Sequence, residues 1–541
     1  MNFFNQLGNF FSNMEEQATY YSLKLRSEVL EQEGKFDEAI KLAEQSLHLA
    51  RKIWGNKHPS LARSLNNIAG LYLKQEKYSQ AETLLQEALA MVSLFLPNDH
   101  PDAAMMLNCL ALVYDLQGKY SEAEPLYQQS LAMYKRLFPG DHPDVATTLD
   151  YLGKLYKKQS KYSAAECCIQ QSLDMRKRLF TRDHIDVAVS LNNLVQIYHI
   201  QGKYNDSEFH CKESLAILKS LFPGDHPDVS KLLHNLGKIY SDQGKYSEAE
   251  PLYQQSLAMY KRLFVSAHPD VAMTLNNLGE LYRSQGNYTQ AERYIQEALS
   301  IRKLLFKTEH LDLAISLNSL GVIYILQEKY QEAESLIQES LTMMKCLFSG
   351  DNYDVASCLN NLANLYNIQG NYSKAESLYE ESLAMRKRLF KMDNSDVALS
   401  LNNLGTLYHS QAKYRKAEIL YEESLALWKN LFTHGHSYVA ASLNNIAKLY
   451  AITNRRKQAL EKFIELIEVE HRLMSQEFVG SSENDRMRFL DNIRTTQHNL
   501  LSLVYQYFYP LEESEEKSKA IHTALDLVLK RKALSNAASA A

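Results

Sequence analysis

The chain has 541 residues, with 59 basic and 64 acidic side chains and a formal net charge of −5. Hydrophobic residues at 45% and charged residues at 23% exclude a disordered chain, and the near balance of charge gives no reason to expect nucleic acid or an anionic membrane as partner. Gly (19) and Pro (11) are too scarce for the many turns of an all-β sandwich, and no apolar run is long enough to span a membrane.

The first segment, residues 1–16, carries Phe3, Phe4, Leu7, Phe10 and Phe11 at helical spacing. It lacks the basic start and continuous apolar run of a signal peptide, so it reads as an amphipathic cap docked on the first repeat. The six cysteines, Cys109, Cys167, Cys168, Cys211, Cys346 and Cys358, form no C-x-x-C pair. They read as free thiols of a cytoplasmic protein.

Residues 17–475 are one long repeat array. An aromatic recurs at Phe36, Tyr78, Tyr120, Tyr162 and Tyr204, then at Tyr246, Tyr288, Tyr330, Tyr372 and Tyr414, always 42 residues apart. A marker leucine keeps the same step, from Leu65, Leu107 and Leu149 to Leu443. Residues 117–138 recur identically at 243–264, as duplication within one gene would leave them. Each repeat reads as two helices. In the third, Leu107, Leu110, Val113 and Tyr114 form the stripe of the first helix, and Gly118 suits a left-handed cap. Tyr120, Ala123, Tyr127, Leu131 and Tyr134 form the stripe of the second. Glu76, Ser160, Glu328 and Ala412 stand where other repeats have the glycine, at a modest expected cost. Pro143 and Asp144 in "PGDHPD" suit the first turn of the next helix. An eleventh, degenerate repeat has Arg456 in place of the turn tyrosine, and the first has Arg26 and Ser27 where apolar and small residues are usual.

The Leu-x-x-Leu/Ile-Ala/Gly-x-x-Tyr of the first helix and the Gly-x-Tyr-x-x-Ala-Glu of the turn resemble the tetratricopeptide repeat (TPR), in the 42-residue form found in kinesin light chains. The resemblance implies an all-α, right-handed TPR superhelix (an α-solenoid) of about eleven helix pairs, and a protein-binding scaffold or sensor rather than an enzyme.

Past residue 475 the period breaks, and 476–541 reads as a helical connector, with a helix start at Ser482. Arg488, Phe489 and Leu490, then Leu501 and Leu503, then Ala524 through Lys532 resemble the segment that leads into a CHAT domain, a caspase-like peptidase fold, in bacterial TPR proteins. No strand-rich segment with a His and Cys pair occurs between there and Ala541. The alternative to a stand-alone binding scaffold that this resemblance implies is the regulatory repeat portion of such a system, its catalytic domain missing or supplied by a separately encoded CHAT-type peptidase as partner.

Eight histidines, His58, His100, His142, His184, His226, His268, His310 and His436, recur at the turn between repeats. Helices pack about 8–10 Å apart, which separates corresponding residues too far to share a zinc ion, so the expectation is helix capping, with no metal and no cofactor. The "THGHS" at 433–437 holds His436 in this same role. Asparagines come directly after the marker leucine: Asn66, Asn108, Asn192, Asn193, Asn276, Asn277, Asn318, Asn360, Asn361, Asn402 and Asn444. In kinesin light chains such asparagines hydrogen-bond an extended peptide in the concave groove, which the resemblance implies here; the alternative is a bond to the neighbouring helix. Five and eight residues past the leucine the repeats vary, as positions facing a specific ligand would. Lys154, Lys157, Lys158, Lys238 and Arg283 would make the groove basic and its peptide ligand acidic.

Overall fold

The computed structural model describes residues 2–55, 58–95, 99–390, 394–432, 436–477, 494, 496–509, 512 and 514–540. Side chains at 2–13, 59, 95, 474–477 and 533–540 are not among those described. The aromatic cap residues near the N-terminus, Thr433 to Gly435, Ser482 and Arg488 to Leu490 thus lie outside the described side chains. All the described secondary structure is helical.

Eleven helix pairs succeed one another: α1 (Asn2–Gln32) and α2 (Phe36–Trp54), α3 (Pro59–Lys74) and α4 (Tyr78–Phe95), α5 (Pro101–Leu116) and α6 (Tyr120–Leu137), α7 (Pro143–Lys158) and α8 (Tyr162–Leu179), α9 (Ile185–Ile200) and α10 (Tyr204–Leu221). The series continues with α11 (Pro227–Asp242) and α12 (Tyr246–Leu263), α13 (Pro269–Ser284) and α14 (Tyr288–Leu305), α15 (Leu311–Leu326) and α16 (Tyr330–Leu347), α17 (Tyr353–Ile368) and α18 (Tyr372–Leu389), α19 (Ser395–Ser410) and α20 (Tyr414–Leu431), α21 (Ser437–Ile452) and α22 (Arg456–Glu477). The odd-numbered member of each pair is called the A helix, the even-numbered one the B helix. The chain divides into two compact units, residues 1–224 and 225–541. Within each, a B helix packs against its own A helix and the next one, so the pairs stack as a solenoid.

Local chemistry sets the ends of most A helices. At the start of most A helices a histidine is the N-cap: His142 Nδ1 accepts from the Asp144 backbone N–H at 3.3 Å, and His268 does so from Asp270 at 3.2 Å. The ring is held flat by the phenylalanine that ends the preceding B helix, with centroids 3.7 Å apart for Phe138–His142 and 3.5 Å for Phe264–His268. Asn352 and Asn394 do the same capping in two repeats. Each A helix ends in a left-handed residue: Gly118 has φ 76°, its N–H reaches Asp115 O at 3.1 Å, and the next N–H, of Lys119, reaches Tyr114 O at 2.8 Å. Glu76, Ser160, Glu328 and Ala412 adopt the same left-handed turn at φ 57–63° despite their Cβ atoms.

The tail continues the stack. α23 (496–503) runs into a π turn, Val504–Phe508, and α24 (Glu515–Ala540) packs back on that turn and on α22. Leu500, Leu503, Phe508, Ala524 and Leu527 are buried between them. Arg531 of α24 and Thr496 both bond the buried Glu470 carboxylate of α22. This is a twelfth helix pair, joined to the eleventh by a buried ion pair.

Candidate functional site

Neighbouring A helices touch directly, α3–α5, α5–α7 and α7–α9 in the first unit and α11 through α21 in the second. They form a continuous inner layer in each. An A helix is buried on three sides, and its open strip is narrow. In α13, Val271, Leu275, Leu278 and Leu281 are buried, whereas Met273, Asn277, Glu280 and Arg283 are half-buried. The strip therefore passes through the positions five and eight past the marker leucine.

The asparagines do not simply face outward. Asn361 Nδ2 donates to Asn318 Oδ1 at 3.2 Å, Asn403 to Asn360 at 3.1 Å and Asn445 to Asn402 at 3.0 Å. The second asparagine of one repeat thus donates to the first of the repeat before it. Asn277 extends the ladder to His234 Nε2 at 2.9 Å, and Asn499 of α23 extends it to Asn444 at 3.2 Å. Asn276 is buried and accepts from Ser316 Oγ at 3.2 Å, and buried Asn108 donates to Thr148 Oγ1 at 2.7 Å. Asn66 and Asn192 are half-buried, and Asn193 is buried. An amide offers donor and acceptor at once, which is why one residue type can propagate a ladder through identical repeats.

Four of the five basic residues are likewise engaged within the fold. Lys158 pairs with buried Asp115 at 2.9 Å, Lys157 donates to Gln196 at 2.5 Å, and Lys154 lies over the Tyr151 ring at 5.9 Å. Arg283 pairs with Glu280 of its own helix at 2.7 Å. Lys238 is exposed beside His234, whose imidazolium is pushed down to about 4, first by burial and then by the Lys238 charge. The two compact units divide this set, with Lys154, Lys157 and Lys158 in the first and Lys238 and Arg283 in the second.

From α15 to α21 the variable positions are almost free of charge. They read Val322, Asn364, Thr406 and Lys448, then Ile325, Asn367, His409 and Ala451. Asn364 is exposed, and the buried atoms Asn367 Oδ1 and His409 Nε2 have no hydrogen-bond partner among the described residues. No sequence motif marks these two orphans, because each depends on what the adjoining repeat withholds.

The tetratricopeptide repeat family model matches residues 16–93, 102–178, 186–262, 270–345, 327–388 and 393–469, and a second tetratricopeptide repeat model matches 234–303. The chain belongs to the tetratricopeptide repeat family. Similar folds among solved structures include BtubC (BKLC) from P. vanneervenii, 24% identical, covering 42% of this TPR chain and 92% of that one, with a TM-score of 0.39. A putative kinesin light chain with nearly identical TPR-like repeats from Podosopora anserina is 23% identical, covering 38% of this chain and 97% of that one, with a TM-score of 0.35. The apo form of the quorum sensor NprR from B. thuringiensis is 16% identical, covering 68% and 98%, with a TM-score of 0.47. No curated protein matches the chain. Among the described residues, no helix of this TPR protein is long and apolar enough to cross a membrane.

Proposed function

We propose that this TPR protein is a non-catalytic scaffold or sensor that binds an extended segment of a protein partner along the open strip of its A helices. The observation that carries the reading is the contrast within each A helix. The frame of Leu, Asn and Gly/Ala is nearly constant and buried or half-buried, while the positions five and eight past the leucine, mostly half-exposed, change from repeat to repeat. The asparagine ladder supports it by holding the A helices in register, which preorganises the strip. Asn364 and Asn367, outside the ladder, are the amides best placed to bond a peptide backbone.

The test is a random peptide display library panned against the whole chain. Peptides sharing a pattern should emerge, and their binding should weaken by about 0.5–1.5 kcal/mol for each of Asn364→Ala and Asn367→Ala. Ser373→Ala, on the exposed face of α18, should leave it unchanged. Peptides that bind all three variants equally would remove the strip from the function. An acidic ligand is proposed only for α7, which carries Lys154, Lys157 and Lys158 within one turn. Lys154→Glu with Lys157→Glu should then weaken acidic peptides and flatten the salt dependence, since exposed charges are screened within about 8–10 Å.

A further inference from the structure

A cavity of about 500 Å³ opens between α4, α5 and α6 on the B-helix side of the first compact unit. Val92, Ala103, Leu107 and Met133 form its buried walls, and Gln86, Ser93 and Gln129 its exposed rim. The repeats themselves show why it is there. The position of Val92 is held by Tyr134, Arg176 and Leu218 in the next three repeats, and that of Ala103 by Val145, Val187 and Val229. One repeat on, the buried Tyr134 packs in one cluster with Val145 and Leu149, the counterparts of Ala103 and Leu107. The cavity therefore opens where the next repeat has a phenol ring and two further methyl groups. The other small residue at the Val92 position, Ala50, is succeeded one turn later by Trp54, which packs against Tyr20 with ring centroids 5.0 Å apart.

The rim differs as well. Between successive B helices at two other gaps of this unit an ion pair crosses, Arg51–Glu87 and Lys177–Glu213, each at 2.7 Å, and the third has Lys135 opposite Gln171. Ser93 and Gln129 stand at the corresponding places, so the mouth carries no charge there. Gln86 is already tied to the Tyr114 hydroxyl at 3.2 Å, and Ser93 Oγ donates to Ala90 O at 2.9 Å. Gln129 is the amide left to meet a ligand.

We propose that this cavity binds a small, neutral aromatic molecule of bicyclic size, carrying one polar group that meets the Gln129 amide. The ring is specified by what fills the same space in the next repeat. Neutrality is specified by walls and rim whose described residues carry no ionisable side chain, where a buried charge would go uncompensated. The volume falls within the usual range for small-molecule sites, about 300–1,000 Å³.

Indole is the probe. Titrated into the full chain labelled at methionine methyl groups, it should shift the Met133 methyl resonance saturably. Ala103→Val, the residue native to later repeats, should weaken binding at least fivefold. Val92→Tyr with Ala103→Val should abolish it while circular dichroism stays that of the parent. Indole-3-acetate should bind at least tenfold more weakly than indole. An unmoved Met133 resonance at millimolar indole, or indole binding unaltered in a folded Ala103→Val chain, would overturn the proposal. Equal binding of indole-3-acetate would overturn its neutrality.

Discussion

Buried polar side chains at one register show how a single residue tunes a repeat. Arg176 is buried and donates to the Asp150 carboxylate, to Ser190 Oγ at 2.7 Å and to Asp186 O at 3.0 Å. Arg302 holds the same place three repeats on, bonding Ser316 Oγ at 2.5 Å and Asp312 O at 2.7 Å, but it faces Asn276 in place of the aspartate. Asp150→Ala should cost about 3–5 kcal/mol, because it leaves a buried charge with an empty space beside it. Asp150→Asn recreates the Arg302 arrangement and should cost about 1–2 kcal/mol. Urea unfolding of the two variants measures the difference. His234 makes the corresponding pH prediction. It is neutral in the fold, accepting from Asn277 at Nε2 and donating from Nδ1 to Thr274 Oγ1 at 3.1 Å. The unfolded chain takes up a proton near pH 6.5 that the folded chain refuses until about 4. Stability should therefore fall as pH drops through that window, by up to about 3 kcal/mol. His234→Asn, the residue of most other repeats, should remove that part of the acid sensitivity in thermal unfolding measured from pH 7 to pH 4.

Helix pairing in several repeats turns on one close approach. Four residues past the marker leucine the A helix usually carries Gly or Ala facing a large side chain of the B helix; α9 and α10 have Val195 and Cys211 instead. A Cβ on Gly279 would lie 2.4 Å from Ile295 Cγ1, and one on Gly153 2.4 Å from Ile169 Cγ1. Every isoleucine at this B-helix position, Ile169, Ile295 and Ile337, faces a glycine, while Ala111 and Ala363 face Tyr127 and Tyr379. The β-branch projects toward the A helix and its rotamer is stiff, so it cannot yield. Gly279→Ala should thus destabilise by about 1–3 kcal/mol net, although alanine is the better helix former. Adding Ile295→Tyr reproduces the Ala363–Tyr379 pair and should recover most of the loss. A double-mutant cycle by thermal unfolding reads the coupling, and additive losses would disprove it.

At the scale of the whole array, stability should be distributed repeat by repeat, since each helix pair contacts only its neighbours. Leu275 in α13 is fully buried. Leu275→Ala should cost about 2–5 kcal/mol and speed amide hydrogen exchange in α12, α13 and α14 far more than in α20 and α21. Uniform acceleration across the second compact unit would show instead that it unfolds as one body.

The period of 42 residues, the helix starts at histidine and proline, and the left-handed turns at Glu76, Ser160, Glu328 and Ala412 could all be read from the chain. Each depends on residues within one or two helical turns, where backbone geometry dictates the requirement. The role of the asparagines, the partners of Lys157 and Lys158, and the emptiness beside Val92 could not. Each is decided by a side chain about 40 residues away in the adjoining repeat, and whether that side chain arrives within hydrogen-bond reach depends on how two helices are set against each other. Periodicity states that the A helices lie side by side. Only their packing decides that Asn361 bonds Asn318, that Lys158 bonds Asp115, and that no ring among the described residues enters the space between Val92 and Ala103.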